Sequence, residues 1–332
     1  MKKSLVFNGG VKRGIRILSI LTFIFLMTMQ QAAAQDFPTR PINLLVPYPA
    51  GGPVDVDARS LAELAKEFLG QPIAVTNKPG GGGIIAATIV AKEKPDGYNL
   101  SVIPQITFVT IPQMRDVSYD PLNDFEFIIR YSSILGGIFC RADKPWKSMK
   151  DLVAYSKQHP GKVTYGHLGV GGATHISAEF ILAKEGIKWR MIPYDGSAKL
   201  VPALLGGHVD VAISGEMLLR GHVKSGEVRA LAIEGLAKGE FPDAATFEEL
   251  GYELGAGGAH GIAAPKGTPA DIVKKLHDSF KKTIEDPRYE ASCKKVGAFK
   301  AYASGEEFFG IIKKEYEVRG KILKELGLAK SK

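Results

Sequence analysis

Two segments of this sequence combine glycines with the opening of a helical pattern, and both are suited to holding an anion. YPAGGPVDVDAR, residues 48 to 59, follows a short apolar run and leads into an amphipathic stretch. Glycines there let backbone amides approach a ligand closely, and a helix N-terminus offers unpaired N–H groups with partial positive charge. Asp55 falls in the first helical turn, where a carboxylate complements the helix dipole. YGHLGVGGATH, residues 165 to 175, repeats the same order of strand, glycine loop and helix. As a dinucleotide fingerprint it offers Gly169 and Gly171 but has Thr174 where the third glycine belongs, a weak match. The Thr174 hydroxyl suits either a helix cap or a ligand. His175 reads as a packing or capping residue rather than a base, since no carboxylate or nucleophile stands at a telling spacing. For the first loop two readings stay open, a ligand cradle or a tight turn with a favourable helix start. If these loops do hold a ligand, a branched side chain at Gly52 or Gly171 should block binding, by filling the ligand's space and penalising the turn.

Other chemistries find less support. Pro79 to Gly83 (PGGGG) lacks the Lys and Ser/Thr of a phosphate loop and reads as a plain flexible turn. Ser214 lies in AISGE, where Ala212 replaces the first glycine of a nucleophile elbow. There is no HExxH, and two cysteines fall short of the three or four ligands that zinc needs. Cys140 and Cys293 leave both a disulfide and two free thiols open.

The elements that must carry these loops alternate. Ile42 to Pro47 reads as a buried strand, and a helix follows with Val54, Ala58, Leu61, Ala65 and Phe68 on one face and Gly70 at its end. Ile73 to Thr76, Ile84 to Lys94 and Tyr98 to Ile103 continue as strand, helix and strand. This βαβαβ order implies a parallel sheet covered by helices on both faces. Residues 116 to 139 lack helical period and include the passage to a second lobe. There, strands are expected near Val163 to Tyr165, Arg190 to Pro193, Val209 to Ser214 and Val228 to Ile233. Helices are expected over 174–184, 198–205 and 217–224. Beyond Pro265 the pattern is helical, over 269–285, 287–296 and 305–326. The chain has 332 residues, which suits two domains at roughly 100–200 residues each.

With 45% hydrophobic and 23% charged residues the chain fits a globular protein, which argues against disorder and against a polytopic membrane protein. The formal charge of +8 comes largely from the first 34 residues, where Lys2, Lys3, Lys12, Arg13 and Arg16 face no acidic residue. The rest is close to balance, so no nucleic-acid partner is expected. The same 34 residues run from a basic region through an apolar stretch, Ile17 to Met29, to Ala32, Ala33 and Ala34. That is signal-peptide order, too short to span about 30 Å of hydrocarbon comfortably, and it places the mature chain, from Gln35, in the periplasm. No cysteine near the cleavage point offers a lipid site.

Six stretches together resemble the extracytoplasmic receptors of tripartite tricarboxylate transporters, the Bug family. They are FPTRPINLLVPYPAGGPVDVDAR (37 to 59), LGQPIAVTNKPGGGGIIAATIVAKEKPDGYNL (69 to 100), YDPLNDFEFI (119 to 128), LLGGHVDVAI (204 to 213), GEVRALAI (226 to 233) and APKGTP (264 to 269). The resemblance implies an α/β, type II periplasmic binding protein fold, two doubly wound lobes with a ligand cleft between them. It divides the chain into a signal peptide (1–34), a first lobe (35–138 with 264–332) and a second lobe (139–263). It further implies a non-enzymatic, monomeric receptor without cofactor or metal, which binds a small carboxylate and delivers it to a two-component permease. The family's ligand contacts map to Pro49, Gly51, Gly52 and Asp55, to Thr107, and to Gly169, Gly171, Ala173, Thr174 and His175. Departures from the family pattern at Asp195, Ser214 and His260 fall at positions that border the ligand, and an acid at Asp195 argues against citrate. An exported α/β hydrolase or transferase, and a subunit presenting ligand to a sensor, are the competing functions.

Overall fold

The run INLLV forms β1 (Ile42–Val46), buried almost throughout, as befits a strand covered on both faces. Helix α1 (Pro53–Leu69) starts at Pro53, whose fixed φ suits a first turn, and buries Val54, Ala58, Leu61, Ala65 and Leu69. Leu69 completes the stripe in place of Phe68, which is 37% exposed. Gly70 ends the helix in the left-handed conformation, its N–H bonded to the Lys66 carbonyl. The computed structural model describes residues 37–134, 136–167, 173–194, 197–215, 217–234, 241–252 and 258–330, so the expected signal peptide lies outside the described residues.

Beyond α1 come β2 (Ile73–Asn77), α2 (Ile84–Ala91), β3 (Asn99–Pro104), the short helices α3 (Gln105–Val109) and α4 (Ile111–Met114), and β4 (Phe125–Ile134). The next elements are β5 (Gly136–Arg141), α5 (Met149–Gln158), β6 (Thr164–His167), α6 (Ala173–Glu185), β7 (Arg190–Pro193), α7 (Ser197–Leu205) and β8 (Val211–Gly215). They are followed by α8 (Met217–Lys224), β9 (Val228–Ile233) and β10 (Ala245–Thr246). The chain closes with β11 (Gly258–Pro265), α9 (Ala270–Glu285), α10 (Pro287–Val296), β12 (Ala298–Ser304) and α11 (Gly305–Glu325). Helix α5, with its Ser148–Asp151 capping box, and edge strand β12 are additions to the sequence reading.

The strands form two six-stranded sheets, ordered β12-β4-β11-β3-β1-β2 and β10-β9-β5-β8-β6-β7. β1 is parallel to β2 and β3, and β6 is parallel to β7 and β8, while β11 and β5 run antiparallel to their neighbours. The sheets are therefore mixed, with a parallel part where the βαβ pattern predicts one. Sheet membership shifts the expected lobe boundaries. The chain passes from the first sheet to the second between Ile134 and Gly136, and residues 258–263 pair with β3 and β4 of the first sheet, not with the second. The second sheet is packed on both faces, by Tyr165, Ile181 and Ile213 with their neighbours on one and Phe139, Leu204 and Ile233 on the other. Ile176 of α6 packs with Ile322 and Leu323 of α11, so the last helix bridges the two sheets.

Candidate ligand-binding site

In each sheet, successive connections leave one strand in opposite directions. From β1 the chain reaches β2 on one side and then crosses to β3 on the other, and from β6 it reaches β7 and then crosses to β8. The crevices at the carboxyl ends of β1/β3 and β6/β8 are thus topological switch points, where ligands of open α/β sheets bind. Residues 48–52 occupy the end of β1, and α6 starts at Ala173 after the carboxyl end of β6. β4 runs parallel to β3 and leaves the first sheet at the same edge, so the connection between sheets starts beside the first crevice.

The first loop is organised by Asp55. Its carboxylate is 2% exposed and accepts Gly51 N–H at 2.9 Å, Arg59 Nε–H at 3.0 Å and Asn77 Nδ2–H at 2.8 Å. Asn77 also donates to the Tyr48 carbonyl at 2.9 Å and accepts from Arg59 Nη2 at 2.8 Å. Burial raises the Asp55 carboxyl, but the Arg59, Gly51 and Asn77 hydrogen bonds and the Arg59 charge outweigh it and hold the group below the usual range. The Gly51 amide is therefore committed to Asp55, and the donors facing outward are the first-turn amides of Val54 and Asp55, which have no acceptor within the helix. Gly51 stands at φ 80°, whereas Gly52, the N-cap, is extended at φ −73°. The backbone strain expected of a branched residue at Gly52 belongs to Gly51 instead. Pro49 is exposed at the tip.

Thr107 is buried beneath this loop. Its hydroxyl donates to the Gly82 carbonyl at 2.8 Å and reaches the Tyr48 hydroxyl, which burial pushes up to about 12. A Cβ on Gly83, at φ 104°, would overlap Thr107 Oγ1, so the PGGGG segment is a fitted turn rather than a plain flexible one. Its carbonyls are held by Thr107 and Arg115. Tyr48, Arg59 and Asn77 were not among the expected site residues, although Arg59 stands four residues after Asp55, the spacing of a helical ion pair.

In the second sheet, Ala173 and Thr174 open α6, while Gly169, Gly171 and Asp195 lie outside the described residues. His175 is buried, its ring 4.9 Å from that of His167 and its Nε2 3.9 Å from Glu179 Oε1. A carboxylate does therefore stand near this histidine, one helical turn on, and it also accepts the Tyr165 hydroxyl at 2.5 Å. Burial lowers the His175 imidazole, with Glu179 opposing. Ser214, at the end of β8, is fully buried and its Oγ has no hydrogen-bond partner among the described residues. His260 lies in β11 inside the first lobe. Its Nδ1 is 3.4 Å from Ser132 Oγ, which donates to buried Asp57 at 2.5 Å, and burial with the Arg130 charge pushes the imidazole down to about 4. Tyr289 donates to the same Asp57 at 2.7 Å, so His260 belongs to a polar network within the core. Among the described residues no group of His, Cys, Asp and Glu is arranged to hold a metal ion.

Residues 57–328 match the family model described as "Tripartite tricarboxylate transporter family receptor". A Cupriavidus necator protein, "UPF0065 protein in gbd 5'region", is 36% identical over 302 residues, covering 91% of this chain and 92% of its own. Among solved structures, a TctC solute-binding protein from Polaromonas without ligand superposes with a TM-score of 0.79 at 29% identity, over 87% of this chain and 99% of its own. An R. palustris protein with adipate gives 0.73 at 28% identity, over 89% and 99%. MatC from Rhodopseudomonas palustris with bound malate gives 0.68 at 26%, over 86% and 100%. The similarity extends to both lobes, and the two-lobed periplasmic binding protein fold implied by the sequence holds.

Proposed function

Because the chain belongs to the tripartite tricarboxylate transporter receptor family, we propose that it is a periplasmic receptor that captures a small organic carboxylate and hands it to a two-component permease. The observation that carries this reading is the placing of a helix N-terminus at the switch point of each sheet, α1 behind residues 48–52 and α6 behind residues 168–172. Unpaired amides at a helix start favour a carboxylate over a neutral group. Two such ends suit the two lobes of a protein that closes on its ligand. In this reading the backbone at Pro49, Gly51 and Gly52 shapes the first half, with Thr107 supporting it from below. Thr174 and His175, with Gly169, Gly171 and Ala173, form the second half, and Ser214 and Asp195 tune which acid fits. Asp55 acts through the loop, since its oxygens are already engaged by protein donors. Adipate and malate, bound by the two R. palustris relatives, support testing small dicarboxylates first. Export rests on the basic and apolar leader, and neither a cofactor nor a second copy is required.

Native mass spectrometry of freshly purified protein should reveal a co-purified organic acid. After its removal, a panel of acids including malate and adipate should contain one that raises the melting temperature while its diamide does not. A ligand at 100 times its Kd adds about 2.7 kcal/mol, well within the reach of a thermal shift. A broad acid panel without any shift on ligand-free protein would overturn the proposal.

A further inference from the structure

Between Ile134, the last residue of β4, and Gly136, the first of β5, the chain crosses from the first sheet to the second. Two corners flank that crossing. On the first-lobe side, α10 ends at Gly297, which stands at φ 65° with its N–H bonded to the Cys293 carbonyl, and the next residue, Ala298, pairs with Ile134. On the second-lobe side, β8 ends at Gly215, paired with Gly136, and Met217 opens α8 two residues later. These corners touch. The Met217 side chain fills the space into which a Cβ on Gly297 would project: such an atom would lie 2.5 Å from Sδ and 2.6 Å from Cγ, and would overlap the Met217 Cβ as well. Non-bonded carbon atoms sit comfortably at about 3.5–4.0 Å. The long, unbranched thioether could swing its tip aside, but no rotamer moves a Cβ. A side chain at Gly297 therefore fits only if the backbone at the start of α8 retreats by roughly 1 Å.

Each of the two helices is fixed in its own lobe. α8 buries Leu219 in the core of the second sheet, and α10 buries Tyr289 and Cys293 in the first lobe. Met217 on Gly297 is thus a point where two separately packed units rest on each other, beside the strands about which such lobes turn. A displacement so close to a pivot grows with distance from it. We infer that Met217, seated on the bare backbone of Gly297, is the bearing that sets the angle between the lobes. Ile176 of α6 on α11 supplies a separate point of support. The bearing belongs to the two-lobed fold and acts whatever solute the protein binds.

The test needs no ligand. Nitroxide labels on Lys150→Cys of α5 and Lys275→Cys of α9, both exposed positions, report the distance between lobes, while the native Cys140 and Cys293 are buried and escape labelling. Gly297→Ala should displace the peak of the interlobe distance distribution by about 1 Å or more. Met217→Gly, which removes every overlapped atom, should instead widen the distribution about twofold, as populations spread over more lobe angles. Alanine at φ 65° also strains the end of α10 and lowers the melting temperature, a cost that stays within the first lobe. The double variant Met217→Gly/Gly297→Ala separates the two effects: it should keep the lower melting temperature while its peak coincides with that of Met217→Gly. If Gly297→Ala overlays the wild-type distribution, or displaces the peak equally in the Met217→Gly background, the contact does not set the lobe angle. Should Gly297→Ala fail to fold, Gly297→Asn, which tolerates a positive φ yet keeps the Cβ, takes its place. A Met217→Gly distribution as narrow as wild type overturns the bearing independently.

Discussion

Replacing Asp55 with Asn changes one oxygen into an NH₂ group and leaves the shape of the side chain intact. If the new NH₂ takes the Oδ2 position it faces two donors, Gly51 N–H and Arg59 Nε–H, and if it takes Oδ1 it faces Asn77 Nδ2–H. Asn77 cannot relieve the clash by flipping its amide, because its own Oδ1 accepts from Arg59 Nη2. At least one hydrogen bond to a charged acceptor is therefore lost and a buried donor left unpaired, which costs about 2–4 kcal/mol. The Arg59 ion pair adds little, since that side chain is 48% exposed and well screened. At about 2 °C per kcal/mol for a chain of this size, the melting temperature should fall by ~4–8 °C at pH 7. The folded carboxyl lies below its ordinary value, so its contribution is fully present above the unfolded value of about 3.9 and is lost as pH falls through the folded one. Scanning calorimetry of both proteins from pH 7 to pH 3 should show the gap narrowing in the most acid samples. A variant melting within about 1 °C of wild type at pH 7, or a gap unchanged at pH 3, would refute the reasoning.

Gly51→Ala should destabilise the protein by about 1–2 kcal/mol, because φ 80° is unfavourable for a residue with a Cβ, while Gly52→Ala should leave stability nearly unchanged. Urea titration of the two variants compares them directly, and equal midpoints would contradict the assigned conformations. Both cysteines are free and buried, with burial pushing the Cys140 thiol up to about 11 and Cys293 up to about 12. A thiol reagent should therefore find no group in the native protein and two after denaturation; fewer than two on denaturation would mean a disulfide.

Local rules made much of the fold readable. The amphipathic stripe and Gly70 marked α1, and the alternation of strand and helix announced the parallel parts of both sheets. Edge strand β12 escaped because its pairing with β4 spans a large stretch of sequence that no local pattern records. Of the proposed site, the glycine segments and helix starts can be read from local sequence, whereas side chains that meet across the fold cannot. Nothing near Asp55 in sequence announces Asn77, which β2 delivers by lying beside β1. His260 illustrates the converse, since its position in the chain suggested a ligand contact while the bulged pairing of β11 with β4 seats it beside Ser132 in the core network.

The place of the second sheet within the chain also governs the order in which the protein can assemble. β4 and β11 are adjacent strands of the first sheet, yet the whole of the second sheet is encoded between them. During synthesis the second sheet emerges complete while the first still lacks β11 and β12, so its inner strands β3 and β4 wait with open edges. Such edges are templates for aggregation until roughly the last quarter of the chain arrives. A chain cut short before Gly258 should thus retain a sheet able to fold and a half-sheet prone to self-association, and the distant closure of β11 makes the first lobe the slower of the two to form.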